Sequence, residues 1–215
     1  MRDCCIHALH TRASSIKNIV NTRIISLLLL VLACSSQVSA QNREHDSTGE
    51  LALSNDTLEL RYIGGGESVG ANRGSQFSGA FFLSEDRDIV LSAALLFPTN
   101  LDLGRLSLTV GPQVYAALLN EENNDVLSIT LGTEVRFLLN RSSNLAIVGR
   151  AFYGPDILTF GSADNLTDLS ARVELEIASR VVAFGGMRWF EFDLTEGQGE
   201  QTLQEEVFVG AGYRF

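Results

Sequence analysis

The feature that most constrains the fold is a strict alternation of apolar and polar residues along much of the chain. In the segment Leu106 to Leu118, every second residue from Leu106 onward is apolar or proline, whereas the residues between them begin with Ser107 and Thr109. We call each of these two sets of alternate positions a parity. The segments Leu127 to Phe137 and Leu169 to Ile177 repeat this scheme, with glutamate and arginine on the polar parity. Successive side chains of a β-strand point to opposite faces. The pattern therefore predicts strands that separate two different environments.

Further strands are predicted where similar alternation is bounded by turn-rich sequence. These strands are Leu58 to Ile63, Ser75 to Leu83, Ile89 to Phe97, Asn144 to Tyr153, Val181 to Phe192 and Glu205 to Phe215. The turn-rich segments include Ser84 to Asp88, Asn140 to Asn144 and Thr195 to Glu200.

The strand number follows from a rule about membrane barrels. The segments above make an odd number, whereas bacterial single-chain barrels have an even number of strands. A short extra strand at Glu50 to Ser54 makes ten, and the loss or merger of a weak strand makes eight. We therefore predict an all-β fold, a small antiparallel transmembrane β-barrel of 8–10 strands, and prefer ten.

Charged residues help to distinguish a membrane barrel from a soluble β-sandwich, whose strands also alternate. They lie almost entirely on one parity, which in a membrane barrel faces the lumen. This predicted charge ladder consists of Glu59, Arg61, Glu134, Arg136, Arg150, Arg172, Glu174, Glu176, Arg188 and Arg214. Side chains fill the lumen of a small barrel, so we expect these charges to pair with one another. The alternative is a narrow ion-conducting path, which needs water along its whole length.

Aromatic residues and the end of the chain also favour a membrane barrel. Aromatic side chains gather near predicted strand ends, as interfacial girdles require: Tyr62, Phe97, Phe137, Tyr153, Trp189, Phe192 and Phe215. The chain stops inside a strand, one face of which carries Val207, Val209, Ala211, Tyr213 and Phe215. That ending is similar to the carboxy-terminal signal by which outer-membrane barrels are recognised for assembly. The alternative is a soluble periplasmic β-domain.

The first 40 residues have the order of a secretory signal peptide. Basic residues precede an apolar run from Ile24 to Ala33, and small residues follow it. A transmembrane helix needs about 20 apolar residues, so this run is too short to be a permanent anchor. We expect cleavage between Ala40 and Gln41, a polar segment over residues 41–56 with a possible short first strand, and the barrel over residues 57–215.

Two alternatives concern the same leader. The segment Val31 to Cys34 resembles the lipobox of bacterial lipoproteins, in which the cysteine is lipidated, although Leu32 fits that motif imperfectly. The basic leader is also long, and translation could begin at a non-Met codon near Val20. The sequence leaves both alternatives open.

Cysteine and histidine usage limits the chemistry of the exported part. Cys4, Cys5 and Cys34 all precede the expected cleavage site, and of the three histidines only His45 follows it. We therefore expect no disulfide, thiol nucleophile, Ser-His-Asp relay or histidine-bound metal in the folded body. From this distribution of cysteine and histidine, we expect that the protein is not an enzyme and that it binds no cofactor.

The charge balance limits the partners. Without the leader, 12 of the 16 basic and 25 of the 26 acidic residues remain, a net charge of about −13. Such a balance disfavours nucleic acid as a partner. We expect outer-membrane lipid, lipopolysaccharide and the barrel assembly machinery as partners, and the oligomeric state is not predicted.

Three local motifs have a functional and a structural interpretation. The glycines Gly64 to Gly66, with Gly70, lack the Lys-Ser/Thr of a phosphate loop, so we expect a flexible connection. The acidic run Glu121 to Asp125 has oxygen ligands suited to a divalent cation shared with lipopolysaccharide phosphates, but its spacing favours a solvated turn. Ser162 to Asn165 is likewise predicted to be a turn.

Four segments resemble a known family. They are Gly154-Pro155-Asp156, Leu169 to Glu176, Val181 to Phe192 with Gly185-Gly186-Met187-Arg188-Trp189, and Phe208 to Phe215. They look like the YfaZ family of outer-membrane proteins, best over Asn144 to Phe215 and more loosely back to Leu58. The resemblance implies an outer-membrane barrel and transfers no site residues, because no molecular activity is defined for the family.

The leading functional hypothesis is therefore a structural or surface-interaction protein of the outer membrane. The second is a narrow channel for ions or small solutes, and the third a soluble periplasmic β-barrel that binds a ligand. A membrane enzyme comes last, since only His45 is available as a catalytic base of the usual kind.

Overall fold

The computed structural model describes residues 47–99, 104–120, 124–140, 144–194 and 199–215. These residues form one antiparallel sheet of eleven strands. Within these ranges, no helix has the length and apolar character needed to cross a membrane. The strands are β1 (Thr48–Leu53), β2 (Thr57–Gly65), β3 (Gln76–Ser84), β4 (Ile89–Pro98), β5 (Leu106–Leu119), β6 (Asn124–Asn140), β7 (Leu145–Gly154), β8 (Thr159–Gly161), β9 (Ala163–Ala178), β10 (Val181–Leu194) and β11 (Gly199–Arg214).

Ten of these strands form a closed wall. Each pairs with its neighbours along the chain, and β1 closes the barrel by pairing with β11, where Thr48 lies opposite Arg214. Strand β8 is short and continues the line of β7 along β6, after a tight turn at Asp156–Leu158. The predicted ten-stranded antiparallel barrel is therefore confirmed, with β1 close to the expected position of the short extra strand.

The two ends of the barrel differ, and we name them by the chain. The terminal end is the end at which β1 begins and β11 finishes. The distal end is the opposite one, at which β1 joins β2 and β10 joins β11.

The wall is not equally high around the barrel. Strands β1 to β4 have 6 to 10 residues, whereas β9, β10 and β11 have 14 to 16. About 9–11 residues suffice to cross a bilayer as a tilted strand. Leu53, the last residue of β1, lies opposite Val209, so the first ten residues of β11 continue beyond β1 at the distal end. β5 and β6 are also long, with 14 and 17 residues. The wall is therefore low at β1 to β4, and it falls abruptly where β11 meets β1.

The outward parity of the strands is apolar around the barrel. Its most exposed large side chains include Leu51, Leu91, Leu118, Leu131, Ile147, Tyr153, Val173, Met187, Val207 and Val209. A water-soluble monomer rarely exposes an apolar surface that is continuous around the whole molecule. This is the surface of a barrel whose outer solvent is hydrocarbon.

Most of the predicted girdle residues point outward, with one exception. Tyr62, Phe137, Tyr153, Trp189 and Phe215 have exposed side chains, and Phe97 is half-buried.

Phe192 is the exception, because its side chain is fully buried inside the barrel. It shares the inward parity of Arg188 on β10, and so the prediction that it belongs to a girdle is wrong.

Three strands begin several residues earlier than the sequence predicts, and one of them is β11, which starts at Gly199 instead of Glu205. β6 starts at Asn124, so Asp125 belongs to a strand rather than to a solvated turn, and β9 starts at Ala163, so most of the predicted turn at residues 162–165 is strand as well. Gly161 makes the sharp connection possible. It has a φ of +102°, and a Cβ there would lie 2.0 Å from the carbonyl oxygen of Asp125.

Candidate functional site

The candidate site is the barrel interior, where charged side chains meet across the lumen. All ten residues of the predicted charge ladder belong to ion pairs. They occupy the half of the interior between the middle of the barrel and the terminal end. Strands β2, β6, β7, β9, β10 and β11 supply them, because each strand directs its polar parity inward.

Arg188 on β10 is at the centre of the largest cluster. Its Nε and Nη2 donate to the two carboxylate oxygens of Asp168, both at 2.8 Å, and its Nη1 donates to Oε2 of Glu59 at 2.5 Å. Glu59 also accepts a hydrogen bond from Nε of Arg61 at 2.8 Å. Tyr115 donates its hydroxyl hydrogen to Asp168 at 2.6 Å. Every ionic group of this buried cluster therefore has an opposite partner, which is the condition under which buried charge is tolerated.

Arg172 on β9 organises a second cluster nearer the terminal end. Its two Nη atoms donate to the carboxylate of Glu50 at 2.8 and 2.9 Å, and Nη2 lies 2.7 Å from Oε1 of Glu174. Arg136 pairs with the other oxygen of Glu174. The Arg172 guanidinium lies 4.5 Å from the ring centroid of Phe184. The cluster connects β1, β6, β9 and β10 across the lumen.

Arg150 and Arg214 hold two smaller pairs. Arg150 lies 3.4 Å from Glu134 and donates to Oε1 of Gln113 at 3.3 Å. Arg214 donates to Oε2 of Glu176 at 3.1 Å. Glu176 also accepts from the side-chain amide of Asn144 at 2.6 Å. These contacts extend the network from the middle of the barrel to its terminal end.

A small cavity remains among the charges. It has a volume of about 30 Å³, and Arg61, Arg150, Arg172 and Arg188 contribute to its lining. The Nε atoms of Arg150 and Arg172 are buried and have no hydrogen-bond partner within the described part of the chain. A cavity of this size accommodates about two water molecules. The distal half of the interior is filled differently.

That distal half is mainly apolar, although the polar side chains of Ser128 and Gln204 are also buried there. Its apolar side chains come from β3, β4, β5, β6, β9, β10 and β11, and they pack into one buried cluster: Phe82, Val90, Tyr115, Ala117, Leu119, Val126, Ala163, Leu166, Phe190, Phe192 and Leu203. Phe190 contacts the rings of Phe82, Tyr115 and Phe192, with centroids 5.5 to 5.8 Å apart. Phe190, Phe192 and Leu166 have no accessible surface. In the part of the chain that the structure describes, packed apolar side chains thus occupy much of this half of the interior.

The sequence analysis missed several members of the network. Asp168 lies on the inward parity of β9, two residues before Ser170 and four before Arg172, but the predicted strand started only at Leu169. Glu50 lies on the short strand β1. Parity within correctly bounded strands would have found both residues. Their partners, Arg188 and Arg172, depend on the register of the closed barrel.

The network contains six arginines and six carboxylates and is balanced in formal charge. Its cations are all arginine, and the only lysine of the sequence is Lys17. The planar guanidinium donates two parallel hydrogen bonds to one carboxylate and stacks on aromatic rings, which an ammonium group cannot do. Arg188 and Arg172 use both properties.

The remaining predicted residues are placed as follows. The five residues of the predicted assembly signal, Val207, Val209, Ala211, Tyr213 and Phe215, are all exposed on the outer face of β11 or at its end. Ala40 and Gln41 of the expected cleavage site, together with Cys34 and His45, lie outside the described residues. Of the acidic run, residues 121–123 also lie outside them.

The closed ten-stranded wall, the outward apolar surface and the charged interior define a β-barrel of the outer-membrane type. The chain belongs to the YfaZ family: the family described as YfaZ precursor matches residues 20–215. The resemblance found in the sequence is therefore confirmed.

Several solved structures are similar to this chain, and two of them are described here. One is described as a bacterial polysaccharide outer membrane secretin, with a TM-score of 0.49 and 16% identity, over 81% of this chain and 67% of the other. The other is the NanC porin, with a TM-score of 0.41 and 8% identity, over 80% of this chain and 100% of the other. In a comparison with curated proteins, none matches this chain significantly.

Proposed function

We propose that this chain is a filled, non-conducting barrel of the outer membrane with a structural or surface-interaction role. The observation that carries this proposal is the way the interior is occupied. Ion pairs fill the terminal half, and apolar side chains fill the distal half. We propose no enzymatic activity, in line with the family and the fold.

The apolar half is the stronger reason to expect no conduction. Phe190, Phe192 and Leu166 are packed without accessible surface. An ion that crosses the barrel must therefore lose its hydration shell as it passes them. Desolvation of an unpaired ion in hydrocarbon costs far more than thermal energy. Hydrophobic constrictions close channels for the same reason.

The outer surface supports the proposed location. Apolar side chains cover the outward parity, so the partner of this surface is outer-membrane lipid, including lipopolysaccharide. The exposed face of the last strand, from Val207 to Phe215, supports recognition by the barrel assembly machinery. Export through a signal peptide over residues 1–40, cleaved between Ala40 and Gln41, belongs to the same proposal.

Two measurements, made one after the other, test the proposal. First, membranes are fractionated, and the protein is run on a gel boiled and unboiled. We expect an outer-membrane protein whose mobility changes on heating, because a closed hydrogen-bonded sheet resists detergent until it is heated. A soluble periplasmic protein would instead support the soluble-barrel alternative.

Second, the purified protein is added to planar lipid bilayers. We expect no conductance steps from the wild type. The double variant Phe190→Ala, Phe192→Ala, shown by heat modifiability to be folded, should conduct because it opens the apolar half. Regular conductance steps from the wild type would overturn the proposal.

Such steps would favour the narrow-channel alternative instead. The cavity lined by Arg61, Arg150, Arg172 and Arg188 is the observation in its favour. A channel that uses it should select anions, because arginines outnumber carboxylates in the lining.

A further inference from the structure

The longest unpaired sheet edge of the described strands belongs to β11. This strand pairs with β10 from Gly199 to Tyr213, but it pairs with β1 only from residue 209 onward. Residues 199–208 therefore have a neighbouring strand on one side only. At about 3.3 Å per residue, they offer an edge of roughly 33 Å at the distal end.

A free edge of this kind is a template for another strand. On an antiparallel strand, alternate residues direct their N–H and C=O groups away from the neighbour they already have. An extended peptide can pair with these groups by strand addition. Proteins normally protect such edges with charged side chains and β-bulges, and β11 has both.

The bulge lies at Leu203. Phe190 of β10 faces Gln204, and the next residue, Glu191, faces Thr202. Leu203 is therefore the extra residue at which the pairing shifts. Residues 204–208 then continue without interruption toward the paired part of the strand. The uninterrupted part of the edge is thus long enough for a short added strand.

The charges on this edge decide which partner it can accept. Glu205 is exposed, and Glu206 lies beside it with its carboxylate accepting a hydrogen bond from the backbone N–H of Asn55 at 3.1 Å. The neighbouring strand β10 adds Glu191 and Asp193. In the described part of the distal rim, the one exposed cation is Arg87, on the turn between β3 and β4. The edge and its surroundings are therefore strongly anionic.

A second copy of this chain is a poor occupant. An antiparallel pair of two β11 edges would bring Glu205 and Glu206 of both copies together, and like charges in such pairs are destabilising. A strand that carries lysine or arginine on alternate residues has the complementary charge. The same carboxylates thus disfavour self-association and favour a cationic peptide.

We propose that the free edge of β11, residues 199–208, binds an extended cationic peptide segment of another protein by strand addition. This inference rests on the proposed surface-interaction role and names the class of partner. Its test is independent of the conductance measurement, so failure of one does not imply failure of the other.

The test uses the full chain in nanodiscs of zwitterionic lipid, which do not attract the probe themselves. The probe is an acetylated eight-residue peptide that alternates lysine and valine, and its binding is followed by fluorescence anisotropy. Site-resolved amide hydrogen exchange is then measured with and without the peptide. We expect binding that weakens with salt, and slower exchange of those amides in residues 199–208 that face away from β10.

Matched charge reversals locate the site. Glu205→Lys should weaken binding by about tenfold or more, because it places a cation beside the cationic strand. Asp125→Lys makes the same change at the same end of the barrel, but on β6, which is paired on both sides near this residue. This control should weaken binding by about threefold or less, through the general field alone. Heat modifiability confirms that both variants are folded.

Three outcomes would overturn the inference. One is the absence of binding. Another is binding without protection of residues 199–208, which indicates simple adsorption to an anionic rim. The third is equal binding of a peptide that alternates glutamate and valine, which would show that charge does not select the partner.

Discussion

The two halves of the barrel interior solve the same problem by different means. Both must fill the space enclosed by ten strands, and both use the inward parity. The distal half uses apolar side chains such as Phe190 and Leu166, whereas the terminal half uses arginine–carboxylate pairs such as Arg172 with Glu50. Apolar packing is non-directional and tolerates a similar side chain in place of another. The charged half requires each partner to be present and oriented.

The comparison teaches where the barrel is most sensitive to substitution. Removal of an apolar side chain leaves a cavity, whose cost depends on how far its neighbours relax. Removal of one ionic partner leaves a buried charge without an opposite charge, and small movements of the neighbouring side chains do not restore the lost pairing. The largest effect is therefore expected in the charged half, although its ion pairs contribute little net stability compared with apolar packing of the same volume.

The largest effect is expected for Arg188→Ala. The substitution leaves the carboxylates of Asp168 and Glu59 without their shared cation, and so we expect a loss of about 3–5 kcal/mol in unfolding free energy. Urea unfolding in lipid vesicles, followed by the fluorescence of Trp189, measures it. The double variant Arg188→Met, Asp168→Leu removes the bidentate pair as a unit and leaves Glu59 paired with Arg61, so it should recover part of the loss. A loss below about 1 kcal/mol for Arg188→Ala would contradict this account of the charged half.

The next effect is expected for Phe190→Ala in the apolar half. Phe190 is fully buried and contacts three aromatic rings, so we expect a loss of about 3–4 kcal/mol in the same unfolding assay. Phe160→Ala is the matched control, because Phe160 is exposed on the outer face of β8. The loss in unfolding free energy for Phe160→Ala should be clearly smaller than for Phe190→Ala. Equal losses at both positions would show that the apolar cluster is not specifically packed.

A smaller effect is expected for Tyr115→Phe, at the boundary between the two halves. Tyr115 packs against Phe190 and donates its hydroxyl hydrogen to Asp168. The substitution keeps the ring and removes one donor to a buried carboxylate, which should cost about 1–3 kcal/mol. If the variant unfolds like the wild type, then Arg188 alone satisfies Asp168, and the two halves are independent.

The smallest effect is expected for Arg73→Ala at the terminal end. Arg73 lies 3.3 Å from Glu67, but its side chain is 95% exposed. Exposed ion pairs contribute about 0–1 kcal/mol, so the unfolding midpoint should hardly move. A clear shift would show that the connection between β2 and β3 contributes more to stability than its exposure indicates.

Alternation, together with the rule that bacterial barrels have an even number of strands, was enough to predict the ten-stranded barrel. It failed where a strand boundary was misplaced. β9 begins six residues before the predicted start, and this hid Asp168 from the inward parity. Phe192 was assigned to the outer face because it stands near a strand end, although its parity is that of Arg188. In both cases the alternation along the strand already indicates the correct face, and the error came from the strand boundary or from the position near a strand end.

The pairing within the charged half could not be predicted at all. Arg172 and Glu50 are 122 residues apart in sequence, and Arg188 and Glu59 are 129 apart. Their contact depends on the strand tilt and on the register in which β1 closes the barrel on β11. Both are properties of the whole closed sheet. No local pattern encodes them.

The uneven wall gives the molecule a direction within the plane of the membrane. A neighbour that approaches from the side of β1 to β4 meets a low rim, and one that approaches from the side of β9 to β11 meets a tall sheet. Since the free edge of β11 stands directly above the end of β1, a large partner has access to it mainly from the low side. A barrel that diffuses freely about its own axis is thus open to such neighbours over only part of each rotation.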